Sequence, residues 1–253
     1  MTKKWALITG ATVGIGDSFA RLLADKGYNL VINARSKDKL EERAAFLRQK
    51  FGVEVVILAA DLATECEAVE KYLTDNEVDV LINNAGFGLN QSFLSSDISD
   101  EQRVLDVLVR APMRLMHAVL PQMRRRDSGI VINVSSTAAF IAGGHYSAAK
   151  SYLTVMSESL HTQLLSTNVT VVSLNPGFTH TEFHQRAGMK MGAIPNWMWL
   201  DAEFLVRKAW DDALKGKAVS IPGWQYKILR VIIATAPRSF VRKMGMSLRT
   251  KQR

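Results

Sequence analysis

Tyr146 and Lys150 are four residues apart in the run Tyr146-Ser147-Ala148-Ala149-Lys150. If the run is helical, the two side chains share one face, so a phenol and an ammonium can enter one site. A tyrosine with a pKa near 10 is a poor base at neutral pH, and a neighbouring cation favours phenolate and lowers that pKa. Such a tyrosine can give a proton to a carbonyl oxygen or take one from an alcohol. The spacing alone recurs by chance in many chains, and an amphipathic helix start with a half-buried tyrosine would explain it equally well. What gives the pair meaning is what surrounds it.

Thr9-Gly10-Ala11-Thr12-Val13-Gly14-Ile15-Gly16 follows a short apolar run at the start of the chain. Glycines here let backbone approach a pyrophosphate, and the N-terminus of the next helix offers amides and partial positive charge. The second apolar run ends Asn33-Ala34-Arg35-Ser36, where a site selective for NAD would place an acid. No acid occurs from Asn29 to Lys37, and Arg35 can fork onto a 2′-phosphate, with Lys37 as a second charge. This reads as NADPH. Asp61, followed by Leu62, suits a contact to an adenine amino group or a helix N-cap.

Positioning these residues requires a sheet. Short β-branched runs alternate with amphipathic stretches, which is the βαβ pattern. Strands are expected near 5–9, 29–33, 54–59, 78–83, 130–135, 169–174 and 218–221, with helices near 15–26, 37–50, 64–74, 100–126, 146–165 and 202–214. In such folds ligands bind beyond the carboxyl ends of the strands. Each expected strand end carries a motif: Asn83-Asn84-Ala85-Gly86, then Ser135-Ser136, then Asn175-Pro176-Gly177-Phe178-Thr179.

As an ordered set these motifs resemble the short-chain dehydrogenase/reductase family, over roughly residues 4–222. The resemblance implies a single Rossmann-like, three-layer, doubly wound parallel α/β sheet. It also implies an oxidoreductase that moves hydride between NADP(H) and a carbonyl or alcohol. Ser136, Tyr146 and Lys150 would be catalytic: Ser136 orients the carbonyl, Tyr146 is the acid/base, and Lys150 lowers its pKa and holds the nicotinamide ribose. The cofactor would meet Gly10, Thr12, Gly14, Ile15, Gly16, Arg35, Asp61, Leu62, Asn83, Ala85, Gly86, Tyr146, Lys150, Pro176, Gly177 and Thr179.

Two features depart from the family pattern. Leu108, four residues before Pro112, stands where an asparagine usually supports a proton relay. Ser136 precedes Tyr146 by ten residues, a shorter spacing than usual. Either Gly143 and Gly144 close the loop without moving Ser136, or Ser135 or His145 takes on more of the work. These departures motivate an alternative, an NADP(H)-binding protein with little or no activity that serves as a sensor or partner subunit.

Apolar Met189, Met191, Trp197, Met198 and Trp199 follow the Pro-Gly motif and suggest a hydrophobic ketone, aldehyde or 3-oxoacyl substrate. Core packing or a subunit contact would also account for them. The formal charge is +8, yet ten Lys and Arg and no acid follow Asp212; without those ten, 22 basic residues face 24 acidic ones. The basicity therefore belongs to the tail, not to a nucleic-acid-binding body. We divide the chain into a catalytic domain, 1–222, and a basic amphipathic extension, 223–253, that either lies on an anionic membrane or completes a dimer or lid. The lone Cys66 and five scattered histidines show no metal-ligand spacing, and no run is long enough for a signal or membrane segment. A cytoplasmic homo-oligomer is the expectation, reaching a membrane at most peripherally.

Overall fold

The computed structural model describes residues 3–89, 91–183, 188 and 194–252, with side chains to 246. Among the described residues seven strands form one parallel sheet: β1 Trp5–Thr9, β2 Asn29–Ala34, β3 Val55–Ala59, β4 Val80–Asn83, β5 Gly129–Val134, β6 Val169–Leu174 and β7 Val219–Ser220. Their order across the sheet is β3-β2-β1-β4-β5-β6-β7, which places the reversal of winding between β1 and β4. The helices are α1 Gly14–Asp25, α2 Lys37–Phe51, α3 Cys66–Asp75, α4 Ile98–Leu105, α5 Ala111–Arg126, α6 His145–Gln163, α7 Ala202–Leu214, α8 Trp224–Thr235 and α9 Arg238–Gln252. Every expected strand and helix is present, with ends shifted by a residue or two.

Alternation of side chains along each strand divides the core in two. Ile8, Ile32, Ile82, Ile132 and Val172 face α1, α2 and α7 with Phe19, Leu47 and Trp210. Leu7, Val31, Leu81, Val131 and Val171 face α3, α5 and α6 with Val69, Leu115 and Leu153. Both faces of the strands are covered, so their runs are apolar throughout, as buried parallel strands require. Cys66 is buried in the second layer, and burial pushes its thiol up to about 11, so it is an inert packing group.

The segment after Gly223 packs onto the same body. Tyr226 and Ile233 of α8 and Val241 of α9 are buried. Among the described residues no helix is long and apolar enough to cross a membrane.

Candidate active site

The carboxyl edge of β1 is tied to that of β4 through Thr9. Its hydroxyl accepts the amides of Asn84 and Ala85, both at 3.0 Å, while the Asn84 side chain donates to the carbonyls of Thr9 and Gly10. Gly16 sits so close to this pair that a Cβ would collide with the Gly10 carbonyl and the Asn84 amide. The turn is thereby pressed against β4. Val13, the N-cap of α1, supplies no side-chain acceptor, so the first-turn amides are open to an anion. An uncapped helix above a glycine cradle fits the pyrophosphate of a dinucleotide.

Arg35 lies exposed just past β2, as a 2′-phosphate contact requires. Lys37 turns instead to Glu41, 3.8 Å away on α2, and Ser36 caps that helix. Asp61 does not cap α3, whose N-cap is Glu65. It accepts the Ala63 amide at 3.0 Å and the Arg103 guanidinium at 2.5 Å. Burial opposes its ionisation, but Arg103, the Ala63 amide and the charge of Arg35 hold its carboxyl below the ordinary range. A Cβ on Gly10 would meet Ala85 and one on Gly86 would approach the Lys150 ammonium, and Leu62 lines a small cavity with Ala85, while Thr12, Gly14 and Ile15 lie in the turn and first residues of α1. Asn83 is turned inward: its amide donates to Asn133 beneath the sheet edge.

The catalytic end rests on a buried polar lattice. The Ser135 hydroxyl donates to the Lys150 carbonyl and bonds Thr154, both at 2.8 Å. Asn175 donates to the Ser136 carbonyl and to Thr154, and accepts from Ser173. These bonds fix α6 against the ends of β5 and β6, satisfying polar groups that water does not reach. The shortened loop is taken up by a 3-10 turn, Thr137–Phe140, capped by Ser136, and by Gly144 at φ 95°. Ser136 stays within reach of Tyr146, where its hydroxyl favours the phenolate. His145 pairs through Nδ1 with the buried Glu101, whose other oxygen accepts from Ser96 at 2.5 Å.

Lys150 is buried and donates to the Val134 carbonyl at 2.7 Å, with its Nζ 5.7 Å from the centre of the Tyr146 ring. Burial lowers its pKa from 10.5 to about 8. Burial likewise pushes Tyr146 up to about 12, against the opposing bond from Ser136. The sequence leads one to expect a phenol depressed by its neighbouring ammonium. Desolvation outweighs that effect, and Tyr146 is held as the neutral, proton-bearing phenol.

Leu108 lies in a π-helical segment, Asp106–Arg110, between α4 and α5. It is buried against Val104 and Ala149, and it lines a cavity of about 10 Å³ together with Asn83, Val134 and Lys150. It therefore meets Lys150 with a hydrocarbon wall where an amide is usual.

Sequence reasoning missed Tyr226. Its ring fills the space that a Cβ on Gly177 would occupy, so only glycine fits there. Its hydroxyl accepts the Phe178 amide at 2.8 Å and donates to the Met198 carbonyl at 2.5 Å. Pro176 and Thr179 are buried in the loop so clamped. An aromatic among cations gives no local sign of a contact 48 residues away. Over the loop, Trp199 stacks on His180 at 4.8 Å and tilts against Phe178, and Phe183 meets Tyr146 at 6.0 Å. Met189 and Met191 lie outside the described residues.

The short chain dehydrogenase model matches residues 4–191. Human very-long-chain 3-oxoacyl-CoA reductase is 32% identical over 188 residues, 71% of this chain and 60% of the human one. The bovine protein of that name is 27% identical over 268 aligned positions, covering 96% of this chain and 84% of its own. The chain thus spans about 60% of the length of the first curated relatives that it matches. A short-chain dehydrogenase from Sphingobium yanoikuyae in complex with NADPH superposes with TM-score 0.83 at 29% identity, covering 92% and 96% of the two chains. A bulky-bulky ketone specific alcohol dehydrogenase from Comamonas testosteroni gives 0.80 at 26%, covering 94% and 97%. With the matched residues spanning both the glycine cradle and the Tyr146 helix, this chain belongs to the short chain dehydrogenase family.

Proposed function

We propose that this chain is an NADPH-dependent reductase of a hydrophobic ketone, aldehyde or 3-oxoacyl compound. The observation that carries the reading is the meeting of Ser136, Tyr146 and a buried Lys150, its Nζ 5.7 Å from the centre of the Tyr146 ring, at the same sheet edge as the glycine cradle. Gly10, Gly14 and Gly16 with the α1 amides would hold the pyrophosphate, Arg35 the 2′-phosphate, and Pro176 to Thr179 the nicotinamide end. Bound there, the cofactor supplies or accepts the hydride.

The chain's own groups handle the proton and the carbonyl. Ser136 donates to the substrate oxygen and fixes its position. Tyr146, a phenol throughout the neutral range, gives its proton to that oxygen as negative charge develops. Lys150 faces the resulting phenolate from within the site. Its own pKa near 8 keeps a proton available, and its carbonyl partner, Val134, keeps it in place. With Ser136 within reach of Tyr146 despite the shortened loop, the binding-only alternative rests on Leu108.

Phe178, Phe183 and Trp199 offer an aromatic cover that suits an acyl or polycyclic substrate, consistent with the names of the relatives. Such substrates partition into lipid, and a peripheral membrane contact by the tail would bring the chain to its supply. We also propose a homo-oligomer through the outward faces of α5 and α6, where Met113, Tyr152 and Val155 are exposed; a monomer by light scattering would refute it. The reaction itself is tested by NADPH oxidation over a panel of ketones, aldehydes and 3-oxoacyl thioesters, repeated with NADH. Turnover of hydrophobic members with NADPH is expected, and no turnover of any member would overturn the reading.

A further inference from the structure

The helix α8 is apolar on two sides. Tyr226 and Ile233 are buried and Leu229 packs against the core, which accounts for one side. On the other, Trp224 is 67% exposed, Ile228 52%, Val231 62% and Ile232 47%. Positions i, i+4, i+7 and i+8 fall on one helical face, so the four form a continuous stripe. Single exposed apolar residues are ordinary, whereas a contiguous stripe marks a surface that is covered in use. Trp197, 60% exposed, extends the stripe, its ring stacked on Trp224 at 6.2 Å with 16° between the planes.

The charge around the stripe selects what covers it. Lys227 is exposed on α8 itself, Arg238, Arg242 and Lys243 are exposed on the helix that follows it, and no acid follows Asp212 in the sequence. A second copy meeting this face about a two-fold axis would oppose cations to cations, since such an interface is self-complementary. An anionic phospholipid surface satisfies both halves of the pattern, the apolar stripe in the acyl boundary and the cations among headgroups. The 12 residues of α8 reach about 18 Å, too short to cross a bilayer core of about 30 Å, so the helix lies in the plane.

We propose that the outward face of α8 is an insertion surface for anionic membranes. The same helix clamps Gly177 and Phe178 through Tyr226, and Trp197, stacked on Trp224, stands two residues before Trp199 of the aromatic cover. Docking there sets the substrate cover against the bilayer, where a lipid-soluble carbonyl compound resides. This last consequence rests on the proposed substrate class; the docking itself does not.

The test is flotation of the full chain with vesicles of phosphatidylcholine alone or mixed with phosphatidylserine. Two variants accompany it: Ile228→Ser with Val231→Ser, and Arg238→Gln with Arg242→Gln. The wild type is expected to float with the mixed vesicles and to be released by salt. The first pair should lose about tenfold or more in partitioning, and the second about fivefold per cation. NADPH oxidation with a short water-soluble ketone, measured without vesicles, should be unchanged in both pairs. Failure of the wild type to float, or equal flotation of all three chains, overturns the proposal. So does a wild-type dimer that the Ile228→Ser, Val231→Ser pair converts to monomer, because a second copy then covers the face. Reductase activity without flotation removes only the membrane surface. Flotation without activity toward any carbonyl removes only the proposed reaction.

Discussion

Replacing Lys150 by methionine should make this chain more stable at neutral pH while abolishing turnover. The ammonium is buried, and the fall of its pKa from 10.5 to about 8 reflects burial alone. At 1.36 kcal/mol per pH unit, holding the charged form there costs about 3 kcal/mol. Methionine keeps much of the stem's packing but strands the Val134 carbonyl, which returns about 1 kcal/mol, for a net gain of about 2 kcal/mol at pH 7. Below pH 8 the lysine is charged in both the folded and the unfolded chain, so the full cost is present. As pH rises from about 8 toward 10.5 the folded chain releases its proton first, and the wild type gains stability that the variant does not. The gap between the two should therefore close across that window. Urea unfolding followed by tryptophan fluorescence at pH 7 and near 10.5 measures it. A variant less stable than wild type at pH 7, or a gap of equal size at both pH values, would refute the assignment of Lys150 as a buried, destabilising cation.

Three further substitutions probe the site's edges. Arg35→Ser should weaken NADPH binding by about tenfold or more through lost charge-assisted bonds and leave NADH binding unchanged; equal losses in titrations of both cofactors would remove Arg35 from the 2′-phosphate. Tyr226→Phe keeps the ring over Gly177 but leaves the Phe178 amide and Met198 carbonyl without their shared hydroxyl, and should cost about 1–3 kcal/mol in thermal or urea unfolding. An unchanged midpoint would show that the clamp is the ring alone. Leu108→Asn should lower stability by about 1–3 kcal/mol, because an amide enters an apolar cluster, and leave kcat unimproved, since Lys150 already has a carbonyl partner; a rise in kcat would show that the hydrocarbon wall limits proton supply.

What the sequence made legible follows from the range of the interactions involved. Strands β1 to β6 are written in local runs such as Val80-Leu81-Ile82, and their burial on both faces follows from composition. The glycine cradle and the Tyr146–Lys150 spacing are likewise local. The π-helical segment at Leu108 was not legible, because an apolar residue reads the same in an α-helix as in a widened turn. Asp61 with Arg103, Glu101 with His145 and Tyr226 with Phe178 join residues more than 40 positions apart, so nothing beside either partner announces the other. The direction of the Tyr146 shift was also hidden, since it depends on how far the fold shields the half-buried phenol and the buried ammonium from water.

The central claim is that Tyr146 delivers the proton to a substrate oxygen held by Ser136. Steady-state reduction of a medium-chain 3-oxoacyl thioester with NADPH by Tyr146→Phe, with NADPH affinity measured by fluorescence in the same preparation, tests it most directly. The account predicts a kcat lower by about 100-fold or more, with NADPH affinity retained. A phenylalanine variant that turns over at the wild-type rate would contradict it.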